Sequence, residues 1–274
     1  MSLKDKIIIT GMTHEGRVRD HNEDSIASNP ELGLLVLADG MGGHKGGEMA
    51  SAIAVDTIMQ YLSATLPTIS PGKTDPKTGY SLESMALEAA IKEANQKIYD
   101  ASQSNTKYEG MGTTVVVLLF YDNRLSLAHV GDSRLYRMRG QLLEQMTRDH
   151  TLIQELVDRG FYTKKEARES LNKNLVTRAV GINTSVDIDL LEEVTLVGDT
   201  YLLCSDGLTD MINDDLIEDI QINYHNDLQK MNEELIKQAN DYGGKDNVSV
   251  MLAQVIKNFP ADSGWFSRFF DIFS

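Results

Sequence analysis

A layered α+β domain is what this sequence predicts, on three observations. Apolar residues recur at three- and four-residue steps over residues 50–62 and 87–98, as on the buried faces of amphipathic helices. From Thr113 the period changes to two, and turn residues arrive at hairpin spacing. Helices and strands thus come in blocks and not as alternating βαβ units, which argues against a doubly wound parallel sheet.

The elements follow in order. Residues 7–13 are β-like and lead into 15–25, where Arg17 and Arg19 sit among acids, by default a solvated loop. Residues 34–37 are a short buried strand that runs into Asp39 and a turn with five glycines among its eight residues, 40–47. Such a turn lets backbone amides and carbonyls approach a metal or a phosphate closely. It fits neither the phosphate-loop nor the dinucleotide fingerprint. Ala50, Ile53, Ala54, Thr57, Ile58, Tyr61 and Leu62 then form one helix face, ended by Pro67 and Pro71.

Residues 70–80, with two prolines and two glycines, read as an exposed linker. Ser81 is placed to cap a second helix whose stripe is Leu87, Ile91, Ala94 and Ile98. Strands over 113–121, 125–130 and 135–138, with turns at Asp122-Asn123 and Arg139-Gly140-Gln141, make a meander. Residues 147–181 are polar and weakly periodic, as suits a mobile flap. Val186, Ile188 and Leu190 alternate with Asp187 and Asp189 as a half-buried strand. Residues 201–204 form a buried strand that ends at Asp206, and Leu228, Met231, Leu235 and Ala239 place a helix before a last strand, 248–255.

Twenty-six basic against 41 acidic residues give a net charge of −15, which argues against a nucleic-acid surface and against binding anionic membranes. Cys204 is the only cysteine, so there is no intramolecular disulfide and no multi-thiolate zinc site. The N-terminus lacks the apolar region of a signal peptide, and no run approaches the roughly 20 apolar residues of a spanning helix. A cytoplasmic location is expected. The last ten residues hold the one Trp and four of the seven Phe, with Trp265, Phe266, Phe269, Phe270 and Phe273 at helical steps. Docking on the domain and contact with a partner or a lipid interface both stay open for this tail.

Asp39 is not alone. Gly131-Asp132-Ser133, Ser205-Asp206-Gly207 and Lys245-Asp246-Asn247 each set an aspartate beside a strand-like run. Carboxylates gathered from such turns cannot all stay ionised unless cations join them or their pKa values rise. Oxygen-only ligand sets suit Mg²⁺ or Mn²⁺. Two such ions about 3.5–4 Å apart clamp a phosphoryl group and acidify the water that attacks it. A thiol route would need Cys, five residues, then Arg, and Cys204 instead precedes Ser205-Asp206-Gly207-Leu208-Thr209-Asp210 in an apolar strand. No Gly-x-Ser-x-Gly elbow is present.

Seven motifs in order carry a resemblance: Arg19-x-x-x-Glu23-Asp24, Asp39-Gly40-Met41-Gly42-Gly43-His44, Gly110-x-Gly112-Thr113-Thr114, Gly131-Asp132-Ser133-Arg134, Asp149-His150, Cys204-Ser205-Asp206-Gly207-Leu208 and Gly244-x-Asp246-Asn247. Together they resemble the metal-dependent serine/threonine protein phosphatases of the PPM, or type 2C, family in its bacterial single-domain form. The resemblance runs from about Thr10 to Val255. It implies a four-layer α-β-β-α sandwich of two antiparallel sheets flanked by helices. The phosphatase domain would span residues 1–257, with a flap at about 149–181, and the aromatic tail residues 258–274.

The resemblance also implies roles. Asp39 bridges two Mn²⁺ or Mg²⁺ ions, Gly40 offers its carbonyl to one, and Asp206 and Asp246 ligate the other. Glu23 and Asp24 act mainly through waters, and Asp132 with Asp206 holds a third, weaker ion. Arg19 binds phosphate, where its planar fork suits bidentate contact, and His44 protonates the leaving alkoxide. The implied activity is hydrolysis of phosphoserine and phosphothreonine in proteins by a monomer, with a Ser/Thr kinase as opposing partner. Two readings compete: a catalytically inactive relative that binds phosphoproteins, and a metal-dependent nuclease or phosphodiesterase.

Overall fold

The longest apolar runs become strands buried on both faces. The computed structural model of the chain describes residues 2–42, 45–163, 166 and 175–261. In one sheet β1 (Ile7–His14), β11 (Val248–Val255), β10 (Thr200–Cys204), β7 (Arg134–Arg139) and β8 (Leu142–Gln145) lie side by side in that order. The other sheet runs β2 (Asp24–Asn29), β3 (Leu34–Met41), β5 (Val115–Tyr121), β6 (Arg124–Val130) and β9 (Asp189–Val194), with β4 (Gly112–Thr113) paired to β3. All these pairings are antiparallel.

The two-residue alternation of a strand explains why these runs carry no polar face. Leu34, Val36 and Ala38 of β3 pack on α1 (Gly46–Thr65) and α2 (Leu82–Ser104), whereas Leu35 and Leu37 face the opposite sheet. In β11, Met251, Ala253 and Val255 face the gap between the sheets, while Val250 and Leu252 pack on the helices Asp214–Asn223 and Leu228–Asp241. Three apolar layers between four structural ones make the expected α-β-β-α sandwich.

Local chemistry sets the element ends. Ser81 caps α2, its Oγ accepting the Ser84 N–H at 3.0 Å. Asp122 and Asn123 take φ values of 45° and 54°, the left-handed pair that a tight hairpin between β5 and β6 requires. The loop expected at 15–25 ends earlier, because Asp24 and Ser25 pair with Asp39 and Ala38 as the start of β2. The strand expected at 186–190 begins only at Asp189, opposite His129 near the end of β6. Val186 and Ile188 pack on the helix-side core without a ladder partner. Most of the expected flap's charged stretch, with Lys164, Lys165, Arg168 and Glu169, lies outside the described residues.

Past β11 the chain turns back onto the sandwich. Phe259 is buried and meets Phe120 edge to face, ring centroids 6.3 Å apart, and its N–H donates to Asn123 Oδ1 at 2.6 Å. Residues 262–274 of the expected tail, with all its aromatic stripe, lie outside the described residues. Truncating a buried phenylalanine costs about 3–5 kcal/mol. Phe259→Ala should therefore lower the free energy of urea unfolding by that amount, and a loss below about 1 kcal/mol would show that Phe259 is not part of the core.

Candidate metal centre

Strand register alone brings the predicted acids to one end of the sandwich. In one sheet Asp24 lies opposite Asp39, and Leu37 opposite Val116 sets Thr113 and Thr114 beside Asp39. In the other, Cys204 pairs with Val250 and with Arg134, and His14 with Val248. The connections that carry Asp132, Asp206 and Asp246 therefore leave their strands at that same edge. Asp24 ties the sheets together there: its Oδ2 accepts the hydroxyls of Ser205 at 2.8 Å and Ser249 at 2.6 Å.

The backbone around Asp39 is pinned from several sides. Its N–H donates to Thr114 Oγ1 at 3.1 Å, and its carbonyl accepts from Thr114 N and Thr113 Oγ1, both at 2.8 Å. Gly40 donates to the Glu23 carbonyl at 3.1 Å. A Cβ on Gly40 would stand 2.1 Å from the Gly47 carbonyl oxygen, and one on Gly207 would stand 1.9 Å from that of Asn247. Glycine is required at both, and both flank an acid of the cluster.

Electrostatics show how closely the acids sit. Burial, then Asp24, Asp206, Asp132 and Asp246 in turn, push Asp39 well above the usual carboxylate range. Burial, then Asp132, Asp210, Asp246 and Asp24, do the same to Asp206. Asp24 rises to about 6, chiefly by burial against the opposing help of its two serine hydroxyls. Asp132 also rises to about 6, by burial and then by Asp149. Burial raises Glu23. Such a set, oxygen-only and repelling itself, fits hard divalent cations. The buried Asp24 Oδ1, without a hydrogen-bond partner among the described residues, is one more acceptor for a cation or its water.

Arg19 is engaged differently from the expectation. Its Nη2 lies 2.7 Å from Asp246 Oδ2, and that hydrogen bond raises the guanidinium pKa. The residue expected to bind phosphate thus rests on a residue expected to bind metal. His44 lies outside the described residues. Cys204 is buried and its thiol is pushed up to about 12, an inert group.

Several supporting residues escape the sequence reading. Asn247 accepts the Glu23 N–H at 2.8 Å and donates to the carbonyls of Glu15 and His21, holding the Arg19 loop against the Asp246 turn. Ser205, Ser249 and Thr114 orient acids, and Asp210 adds charge beside Asp206. Ordinary serines and threonines in strands give no signal of such roles. Asp210, four residues after Asp206 across a short helix, Asp206–Thr209, was legible by spacing alone.

Another group has metal-ligand spacing: His129, His150 and Asp189. His150 Nδ1 accepts the Gly131 N–H at 3.1 Å, which assigns its proton to Nε2, 3.3 Å from Asp189 Oδ2. A metal-bound histidine would need that lone pair and would donate from the other nitrogen. The two rings stack with centroids 4.7 Å apart, and burial lowers the pKa of His150 and takes that of His129 down to about 4. The histidines are held neutral, Asp189 is paired with Arg178 at 2.8 Å, and the network fixes the turn before Asp132.

The sandwich and its acids define a class of domain: two antiparallel sheets between helices, with a carboxylate cluster where the gap between the sheets opens. The protein phosphatase 2C family model matches residues 10–253, and the chain belongs to that family. It is 35% identical over 245 residues to the serine/threonine phosphatase stp of Listeria monocytogenes, covering 88% of this chain and 93% of the relative. The crystal structure of the Mycobacterium tuberculosis serine/threonine phosphatase PstP/Ppp superposes with a TM-score of 0.81 at 36% identity, over 92% of this chain and all of that one. A PstP catalytic domain solved with two manganese ions matches with a TM-score of 0.78 at 35% identity, over 92% and 99% of the two chains.

A carboxyl raised from 3.8 to about 6 favours the folded state only while protonated. The metal-free protein is therefore penalised by Asp24 as pH rises from about 3.8 through 6, and fully above it. Two pKa units amount to about 3 kcal/mol. In chelator, Asp24→Asn should match the parent near pH 4 and exceed it in urea-unfolding free energy by about 1–3 kcal/mol at pH 8. Equal stability at pH 8 would show that Asp24 is not held against repulsion.

Proposed function

We propose that this chain hydrolyses phosphoserine and phosphothreonine in proteins, dependent on Mn²⁺ or Mg²⁺. One observation carries the reading: in a member of this family, Asp24 and Asp39 from paired strands and Asp132, Asp206 and Asp246 from separate connections meet at one end of the inter-sheet gap and repel one another there. The serine/threonine phosphatase names of its relatives and the two manganese ions of the PstP structure support it.

Asp39 is the acid suited to be shared between two cations, with the Gly40 carbonyl completing one site and Asp206 and Asp246 the other. Asp24, with Oδ2 already held by two serines, and Glu23 suit longer-range contacts, and Asp132 with Asp206 suits a third, weaker site. Bound there, divalent cations neutralise phosphoryl charge and lower the pKa of water to near neutrality. The protein orients the ester so that its P–O bond breaks in line as a bond from water oxygen forms, leaving inorganic phosphate and a free hydroxyl. Arg19, released from Asp246, grips phosphate oxygens, and His44 gives the leaving alkoxide its proton.

On the same reading the protein is a cytoplasmic monomer that opposes a Ser/Thr kinase. No described helix is long and apolar enough to cross a membrane, and the lone cysteine is buried. An inactive phosphoprotein binder would be expected to lack some of Arg19, Asp39, Asp206 and Asp246, and all are present. A polynucleotide substrate conflicts with the net charge of −15.

Asp39→Ala and Asp206→Ala should each abolish Mn²⁺-dependent release of phosphate from a phosphothreonine peptide, as should chelator. Retained turnover in both variants, or faster cleavage of a phosphodiester than of the peptide, would overturn the reading. Arg19→Ala should lower kcat/KM by about 10–100-fold, the worth of a charge-assisted contact of about 1.5–3 kcal/mol.

A further inference from the structure

Asp149 and His150 grip the turn that carries Asp132. Three of the four residues of that turn, 131–134, are tied down, each by a different partner. Gly131 meets His150 through two bonds: its N–H donates to Nδ1 at 3.1 Å, and its carbonyl accepts the His150 N–H at 3.0 Å. Ser133 Oγ lies 2.7 Å from Thr114 Oγ1, the hydroxyl that accepts the Asp39 N–H. Arg134 gives its fork to Asp149, with Nε 2.9 Å from Oδ1 and Nη2 2.6 Å from Oδ2. The remaining residue, Asp132, is buried, and after burial its charge is the strongest influence raising Asp206.

The pair is itself held in place. Asp149 Oδ1 also accepts Gln145 Nε2 at 2.9 Å. The His150 carbonyl accepts the Thr177 N–H at 2.8 Å, and its Nε2 faces Asp189, so His150 is strapped between the turn before Asp132 and the chain that returns from the expected flap. Charge completes the arrangement. Burial and then Asp149 raise the Asp132 carboxyl, and Arg134, two residues away, opposes them. A guanidinium in such surroundings needs an acid. By turning both oxygens to Arg134, Asp149 answers that need and leaves the Asp132 carboxylate to other cations.

We propose, resting on the reading of Asp132 and Asp206 as a third, weaker cation site, that Asp149 and His150 are positioning residues for Asp132. His150 fixes the backbone from which the carboxyl projects, and Asp149 keeps Arg134 from taking the cation's place beside Asp132. The two act as the outer partners that orient metal ligands, whose loss costs about 10–100-fold in metal affinity. A pair that served the fold alone would, when altered, lower stability and leave the affinity of the weak site as it was.

Near-isosteric substitutions separate these cases. In His150→Asn the amide oxygen takes the place of Nδ1 and still accepts the Gly131 N–H, whereas in His150→Gln the amide reaches the place of Nε2 and that acceptor is lost. Calorimetric titration of the metal-free full chain with Mn²⁺ should show a weak step that Asp132→Ala removes. His150→Gln and Asp149→Asn should weaken that step about 10–100-fold without changing the tighter binding, and His150→Asn should retain it. With no metal present, the Gly131 amide should exchange with solvent faster in His150→Gln than in His150→Asn. Asp149→Asn, close in shape to the parent, keeps the test decisive if a His150 variant fails to fold. A parent-like isotherm in Asp132→Ala would overturn the reading of Asp132 and the roles of its neighbours with it. A weak step lost in Asp132→Ala but kept in His150→Gln and Asp149→Asn, or lost equally in both His150 variants, would overturn the positioning roles alone.

Discussion

Like charges gathered where water is scarce are the constraint on which this molecule is built. Asp39, Asp206, Asp24 and Asp132 all have pKa values above their ordinary range, and in each case burial is the largest cause, with neighbouring acids adding to it. Nothing in a hydrophobic core gains from such an arrangement. It persists because the sheets over-determine it: Asp39, Asp132 and Asp206 each lie near the end of a strand, or next to one, that is buried on both faces, and Asp24 is held by pairing with the strand of Asp39. The stability of the core is set against the cost of the cluster, and a group that carries positive charge into it recovers part of that cost.

The layered fold is the means of concentrating that charge. Strands of the two sheets stop at one edge, and the gap between them, filled by Leu35, Leu37, Val116, Leu203 and Met251 further in, opens there onto oxygens. Side-chain parity decides which oxygens face inward. Asp39 continues the series of Leu35 and Leu37, and Ser249 shares its strand face with Met251, so an acid from one sheet and the hydroxyl partners of Asp24 from the other meet across the opening. The close backbone approaches at Gly40 and Gly207 follow, since turns that carry acids into so small a space leave no room for a Cβ.

Much of this was legible in the residues, for reasons that differ element by element. The stripes of α1 and α2 and the Ser81 cap rest on local periodicity and capping chemistry, which tertiary context reinforces. The start of β2 was missed because Asp24 and Ser25 look like loop and become strand only by pairing with β3. The strand at Val186 was placed too early because half-burial produces alternation whether or not a ladder forms. Asp39, Asp132, Asp206 and Asp246 stood out as acids beside strand-like runs. The residues that orient them, Asn247, Ser205, Ser249 and Thr114, did not, because their hydrogen bonds join segments as much as 232 positions apart and no local pattern records such a pairing.

Arg19 shows how such a site can hold a cation of its own without being locked by it. Its bond to Asp246 is short, 2.7 Å, but the two side chains are 50% and 34% exposed, so the pair is worth about 1 kcal/mol at most. That is less than a planar guanidinium gains from a bidentate grip on phosphate. If Asp246 turns to a divalent cation, Arg19 is freed for an incoming phosphoryl group; if phosphate draws Arg19 away, Asp246 is left to a cation. Each event lowers the cost of the other, and linkage makes the coupling equal in both directions. On the proposed roles of Arg19 and Asp246, the arginine would serve as a weak internal counter-ion whose release ties assembly of the charged centre to arrival of a charged ligand.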